Sequence, residues 1–429
     1  MQPQSISLSN QNADVWQPPA RRDWRALLTF STFLVLVSSL TFLAVLGGYL
    51  VRFTPDGAIC PDWPTCYGQW SLPLETAARI EMGHRVLAAV GALLTTAAAA
   101  WAVRQRYSLL VRLSLAASAL TVLAQAALGR TLVGAETAWI GGAHLALALS
   151  TLAGLIVSTL AVFFEKSKTT HMTSSLMTTP FSRRVAAAVV LTFVLMLSGA
   201  WVTDLNAGAA CQGWPLCAGG LQSGLAWLAF AHRVLTLLAA LALTSVFVRA
   251  WRSQYERPLH LAAATAMGVL FAGQVLIGAL KVTRTASIEL AGLHAALTAA
   301  LWSALVLLAA VTWLQPGSLA EEQAALRRER PQGRARLGAF IALNKPIIVA
   351  LLLVTTYAGM VVGGERIPGL ALTFWTMLGG ALAAGGASAL NQYIDRSIDG
   401  SMQRTATRPL PSGRLTPAEG LAYGIGACL

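Results

Sequence analysis

Four histidines set the chemical question for this chain. His84, His144, His232 and His294 each lie in a long apolar run, and they form two pairs: His84 recurs at His232, 148 residues later, and His144 at His294, 150 residues later. Two imidazoles on separate helices can meet a planar cofactor from opposite faces, and His/His is a set suited to axial ligation of haem iron. Zinc would ask for three or four ligands in a tetrahedron, and each half supplies two histidines. A single intramembrane histidine often does no more than hydrogen-bond a neighbouring helix. Four of them recurring in register at matched depth point to a site, because ionisable groups inside a membrane mark function by default. His171 and His260 fall outside the repeat and read as surface residues of loops.

Charged neighbours refine this reading. Arg85 and Arg233 directly follow the first histidine of each pair. They can snorkel to the interface, or pair as guanidinium forks with the propionate carboxylates of a haem. Glu81 stands one turn before His84 in the run EMGH, whereas AFAH places Ala229 before His232. The i, i+3 spacing sets Glu81 on the face of His84. A carboxylate beside one site only suggests a reactive N-terminal half and an electron-handling C-terminal half; the bland alternative is an acidic residue near a helix start.

Cysteines mark the same ends of the molecule. CPDWPTCYG starts at Cys60 and CQGWPLCAG at Cys211, so the pairs Cys60/Cys66 and Cys211/Cys217 recur together with a Trp-Pro and a Gly. A small disulfide loop in each half, a redox-active dithiol, and a four-cysteine zinc site joining the loops all remain open, although zinc usually takes shorter spacings. Gln125 and Gly129 recur at Gln274 and Gly278. Cys428 lies in an apolar stretch and reads as inert.

Long helices must carry these residues. The 429 residues are 55% hydrophobic and 11% charged, far below the roughly 25% charged residues of soluble domains. The balance of 31 Lys+Arg against 18 Asp+Glu, net +13, would suggest nucleic acid in a soluble protein; here it needs only the cytoplasmic face of a lipid membrane, and no nucleic-acid partner is expected. About 20 apolar residues span the hydrocarbon layer, and the charge-free runs give ten such helices, grouped eight plus two. Basic residues crowd every other loop: 21–25, 104–112, 166–184, 249–257 and 321–336. The positive-inside rule then puts the N-terminus in the cytoplasm and the histidines and cysteines toward the outer side of a bacterial inner membrane. The first 20 residues lack the pattern of a signal or transit peptide. The expected fold is an all-α polytopic membrane protein in which two four-helix bundles share one orientation and are related by an axis along the membrane normal. Its parts are a cytoplasmic tail 1–24, an N-terminal bundle 25–164, a linker 165–184, a C-terminal bundle 185–315, a basic linker 316–337 and a further segment 338–429.

The repeated four helices, the CPxWPxC loop, the ExxHR motif and a histidine on every even helix resemble the haem A synthase family over residues of about 25 to 315. The resemblance implies oxidation of the C8 methyl of haem O to a formyl group for terminal-oxidase assembly. It implies that His84 and His144 flank the substrate haem, that His232 and His294 hold a haem b cofactor, that Glu81 is important to catalysis, and that Cys60–Cys66 and Cys211–Cys217 form disulfides. Implied partners are haem O, a haem O synthase and terminal-oxidase assembly factors; self-association is left open.

The last segment is similar to something else. LNKPIIVALLLVTTYAGM from Leu343 and NQYIDRSIDGSMQRTATRPLPSGR from Asn391 resemble the start of protoheme IX farnesyltransferase, a UbiA-superfamily enzyme that makes haem O from haem b and farnesyl diphosphate. Asn391, Asp395 and Asp399 recur every four residues along one helix face. Hard carboxylates so spaced can hold Mg2+ bridging a diphosphate, with Arg404 and Arg408 as phosphate partners. The sequence ends at Leu429, about a dozen apolar residues into a third helix of that bundle. The expectation is therefore two to three helices of a partial prenyltransferase, inactive alone, following a haem A synthase. Two other functions compete: a dihaem b-type electron-transfer or haem-handling protein, and a chain whose main activity is the prenyl transfer. Glu81 without a counterpart speaks against the first, and the lack of the family's second Asp-rich motif against the second.

Overall fold

The computed structural model describes residues 30–52, 59–133, 138–166, 179–283, 288–328 and 333–429. The N-terminal tail and His171 lie outside them. Ten of the described helices are long and apolar enough to cross a membrane, and they follow the charge-free runs of the sequence. The first bundle is α1 (Phe30–Val51), α2 (Thr76–Arg104), α3 (Leu109–Leu132) and α4 (Ala138–Lys166). The second is α5 (Pro180–Asp204), α6 (Gly224–Ser253), α7 (Pro258–Thr283) and α8 (Ile288–Leu314), with a short 3-10 turn at Ala207–Ala210. Thr179 and Pro180 explain the start of α5: the threonine hydroxyl accepts from the Ser182 N–H in a reciprocal capping box, and proline occupies the first turn, where its missing N–H costs nothing.

Packing repeats with the sequence. Within each half the helices pair in order, α1 with α2 and α3 with α4, then α5 with α6 and α7 with α8. Between halves α4 packs on α5, and in the matching position α8 packs on α1; α4 and α8 also meet each other. That reciprocal pattern is what a two-fold relation of parallel repeats produces. α4 and α8, which carry His144 and His294, therefore sit at the centre. Their contact is apolar and close-packed, with Leu149, Leu152, Leu301 and Leu305 buried, and the Trp302 indole N–H donates to the Leu149 carbonyl at 3.0 Å. Large apolar side chains such as Leu93, Leu120, Val190 and Leu241 point outward from the other helices, as a surface facing lipid requires.

Beyond α8 come α9 (Leu319–Arg327), α10 (Arg334–Leu343), α11 (Pro346–Gly364), α12 (Leu370–Ser401) and α13 (Pro417–Cys428). α13 packs against both α12 and α7, so this last segment is docked on the second bundle. Ala418 and Ala422 join the main apolar core, and Gly426 sits so close to Thr265 that an added Cβ would lie 2.9 Å from its methyl.

One expectation needs correction. His260 is not a surface loop residue: it lies in the first turn of α7 and is 2% exposed. Pro258 starts the helix directly after the basic cluster 249–257, and its first turn tucks the ring beside the Arg257 guanidinium, 3.5 Å away.

Candidate functional site

Each of the four histidines stands against a glycine of a neighbouring helix. A Cβ built on Gly48 of α1 would lie 3.0 Å from Cε1 of His84, and one on Gly199 of α5 would lie 3.1 Å from Cε1 of His232. On α3, Gly129 meets His144 at 3.4 Å; on α7, Gly278 meets His294 at 3.1 Å. The glycines are as symmetric as the histidines, since Gly48 and Gly199 are 151 residues apart and Gly129 and Gly278 are 149 apart. Only a residue without a Cβ lets the helix backbone approach an imidazole this closely. Gly129 and Gly278 were visible in the repeat. Gly48 and Gly199 were missed, although GG at 47–48 and SG at 198–199 occupy equivalent places.

Ring nitrogens are oriented by the same elements. His84 Nδ1 lies 2.9 Å from the Ala44 carbonyl, and His232 Nδ1 lies 2.8 Å from the Ser198 hydroxyl. Such outer hydrogen bonds fix the tautomer and rotation of a ligating imidazole and leave Nε2 for a metal. His144 and His294 are met by Gln125 and Gln274, whose Nε2 atoms lie 3.5 and 3.2 Å from the respective ring Nε2. On both rings Nδ1 is buried without a hydrogen-bond partner, an arrangement a buried polar atom seldom tolerates. Among the described residues no group of three or more His, Cys, Asp or Glu is gathered to hold a metal ion. Two imidazoles on separate helices of each bundle, with Nδ1 of His84 and of His232 held by a neighbouring helix, fit an iron that brings further nitrogen ligands of its own, as haem does.

The cysteine loops cover the histidine ends of the bundles. Sγ of Cys60 and Sγ of Cys66 are 1.98 Å apart, and those of Cys211 and Cys217 are 1.94 Å apart. All but Cys217 are almost wholly buried. In the first loop Tyr67 and Gly68, both at positive φ, form the two-residue turn of a small hairpin closed by mutual Cys66 and Gln69 backbone bonds of 3.1 Å. The Thr65 hydroxyl, together with the Gly68 and Tyr67 N–H groups, holds the Asp62 carboxyl below the usual carboxylate range against a desolvation acting the other way.

Glu81 and Arg85 face this loop. The Glu81 carboxylate, 4% exposed, accepts from Ile59 N–H (2.8 Å) and Cys60 N–H (3.0 Å) on Oε2, while Oε1 pairs with Arg85 Nη2 at 2.5 Å. Arg85 Nη1 donates to the carbonyls of Asp62 and Thr65 at 2.6 and 2.5 Å. Arg233 does related work in the second half, donating to the carbonyls of Cys211 (2.6 Å) and Pro215 (3.2 Å). The sequence predicted a carboxylate on the His84 face and arginines beside the histidines. It gave no sign that both arginines would be occupied by loop carbonyls. Hydrogen bonds to charged groups contribute roughly 1.5–3 kcal/mol each, so the clamps are stabilising as well as orienting.

The halves are joined at the same end. Arg52, at the end of α1, donates to Asp204, at the end of α5, at 3.1 and 3.3 Å, and to the Gly141 carbonyl of α4 at 2.8 Å. Trp201 lies on the backbone of Gly142, where a Cβ would be 2.5 Å from its Nε1.

Of the residues expected at magnesium and diphosphate, Asn391, Asp395 and Asp399 lie on the last turns of α12, and Arg404 and Arg408 lie in the turns that follow it. Asn391 is exposed and Asp395 half-buried. Asp399 is buried and takes both carboxylate oxygens to Arg408 Nη1, at 2.8 and 2.7 Å, so the structure draws this arginine to the motif itself; Arg404 is exposed. Cys428 is a free, exposed thiol.

Comparison with known proteins agrees with both regions. Residues 352–429 match the UbiA prenyltransferase family. Over 257 residues the chain is 36% identical to a protein named protoheme IX farnesyltransferase from Roseiflexus sp. (strain RS-1), covering 56% of this chain and 47% of that protein. A protein of the same name from Chloroflexus aurantiacus is 29% identical over 396 residues, 90% of this chain and 64% of its own length. One from Streptomyces avermitilis is 54% identical over 99 residues, 23% of this chain and 32% of its length. The chain thus spans less than two thirds of each. Residues 74–306, more than half of the chain and including all four histidines, match the COX15-CtaA model described as cytochrome oxidase assembly protein; the chain belongs to that family of membrane proteins of haem metabolism.

Proposed function

We propose that this chain is a haem A synthase, oxidising the C8 methyl of haem O to a formyl group in a bacterial inner membrane, with the N-terminus in the cytoplasm and the cysteine loops outside. The observation that carries the reading is the doubled His–Gly geometry with a carboxylate, Glu81, in one half only. Two equal sites would suit electron transfer; two sites alike in ligands and unlike in surroundings suit a substrate and a cofactor. His232 and His294 would hold haem b, and His84 and His144 would hold the substrate haem. Bound there, the iron supplies the redox chemistry. The residues of the chain hold and orient. Ala44 and Ser198 fix the rings of His84 and His232, Gln125 and Gln274 face those of His144 and His294, and the close-packed apolar α4–α8 contact holds the two halves together. The two cysteine pairs would be disulfides facing an oxidising compartment.

Segment 338–429 would belong to the enzyme that makes haem O, the substrate of the first reaction. Asn391 and Asp395 remain as oxygen donors while Asp399 is paired with Arg408. That donor set fits Mg2+, which commonly takes one or two carboxylates and completes its shell with substrate phosphates and water.

Pigment extraction tests the main reading. Membranes expressing the chain together with a source of haem O are expected to contain haem A. Bound haem b without any formyl product would leave the dihaem electron-transfer reading in its place.

A further inference from the structure

Glu81 faces the loop. Both of its oxygens are engaged by Ile59 N–H, Cys60 N–H and Arg85. Through Arg85 the same pair reaches the Asp62 and Thr65 carbonyls, so one carboxylate and one guanidinium hold four residues between positions 59 and 65. Glu81, His84 and Arg85 leave α2 on neighbouring faces: the imidazole turns to α1 at Ala44, and the ion pair turns to the loop. The buried sulfurs of Cys60 and Cys66, each 1% exposed, lie in the segment so held, and Ala78 and Met82 pack under them.

We propose that Glu81 is a positioning residue: with Arg85 it clamps the Cys60–Cys66 loop over the outer end of the N-terminal histidine site, and its influence on chemistry there runs through that loop. This rests on reading the N-terminal half as the reactive one, but its geometry does not. The C-terminal half supplies the contrast. Ala229 replaces the carboxylate, and the Cys211 N–H instead donates to the Gly208 carbonyl of the 3-10 turn, at 3.3 Å. Arg233 alone then ties Cys211 and Pro215 to α6. A loop that binds its own N–H groups needs no acid beneath it. One whose N–H groups point at the helix does.

The test reads the loop directly. Full-length protein in detergent is given a brief pulse of a water-soluble phosphine, labelled with a bulky maleimide, and the labelled cysteines are located by peptide mass. Glu81→Ala is expected to raise labelling of Cys60 and Cys66 at least tenfold, and Arg85→Ala to raise it comparably. The double variant should not exceed the larger single by more than about twofold, because the two residues act as one unit. Cys211 and Cys217 should stay within about twofold of the parent in every variant. Wild-type labelling of Cys60 and Cys66 in Glu81→Ala overturns the proposal. Glu81→Gln keeps the volume and one acceptor and serves if the alanine variant does not fold. It should label at an intermediate rate and lose haem A formation only in proportion. Abolished haem A formation with wild-type labelling in Glu81→Gln would make Glu81 a direct proton-transfer group and would also overturn the proposal. Labelling needs no haem, so absence of haem A from the unmodified protein would refute the function while leaving this result readable.

Discussion

The two halves of this molecule agree where a planar cofactor would be gripped and differ where its outer end is covered. The grip is duplicated almost atom for atom: a histidine on each even helix, a glycine pressed on each ring, and a glutamine facing the inner pair. The cover is not. In the first half a buried ion pair holds a tight hairpin; in the second an arginine and a 3-10 turn hold a loop with Gly213 where the first has Asp62. The His–Gly–Gln geometry is the same in both halves, and the rim is where they differ. What sets the two sites apart chemically should therefore be sought at the rim.

Removing the histidines half by half should separate the two halves most strongly. His232→Ala and His294→Ala should each lower the haem that co-purifies to below about a tenth, measured from the Soret band and a pyridine haemochrome assay, because a bis-His iron that loses one ligand is left beside an apolar space. His84→Ala should keep that resident haem and lose haem A formation. The reverse pattern would exchange the roles assigned to the halves, and equal loss in all variants would make them equivalent, as the electron-transfer reading requires.

A smaller effect is expected at the glycines. Gly199→Ala places a methyl about 3.1 Å from His232 Cε1 and Gly48→Ala one 3.0 Å from His84 Cε1, tighter than ordinary contact, so each ring must shift by a few tenths of an ångström. Gly199→Ala should move the low-spin EPR signal of the resident haem and cost about 1–3 kcal/mol of stability, the usual range for overpacking. Gly48→Ala should leave that signal in place. Movement of the same signal by both substitutions would mean that the two cradles do not serve separate haems.

Much of this was legible in the sequence, and the reasons are physical. Ten spans could be read because lipid demands long uncharged runs, and the repeat could be read because His84, His144, His232 and His294 keep their spacing when loops change. Partners could not be read. Nothing in EMGHR says that Glu81 accepts from the backbone of Ile59 and Cys60, more than 20 residues earlier, or that Arg85 spends its donors on loop carbonyls. Backbone N–H groups carry no sequence signature, so their acceptors appear only in three dimensions. His260 went wrong for a related reason. A histidine between charged clusters looks solvated, but the burial of a helix's first turn is decided by what packs beside it, here Arg257 and the chain near Pro316. The four-residue spacing places Asp399 on the face proposed for magnesium, and only the fold shows Arg408 turned back onto it.

The finest test of the contrast between the covers uses pH. Asp62 has its folded pKa depressed, chiefly by the Thr65 hydroxyl, with the Gly68 N–H donating at 3.1 Å. A group of this kind contributes stability above its unfolded value, about 3.9, and loses it as pH falls through the depressed folded value. The first loop should therefore hold its labelling rate constant from neutral pH down to about pH 4 and loosen only below that, once labelling at each pH is normalised to a free-thiol standard. Asp62→Asn should loosen it slightly at all pH values and abolish the acid step, because an amide still accepts but does not titrate there. The second loop has Gly213 at this position, so Cys211 and Cys217 should show no such step. Since Asp62 is only half-buried, the change should be a few-fold at most, well below that of removing Glu81. An acid step of equal size in both loops would place its origin outside Asp62 and remove one of the two differences on which the contrast between the covers stands.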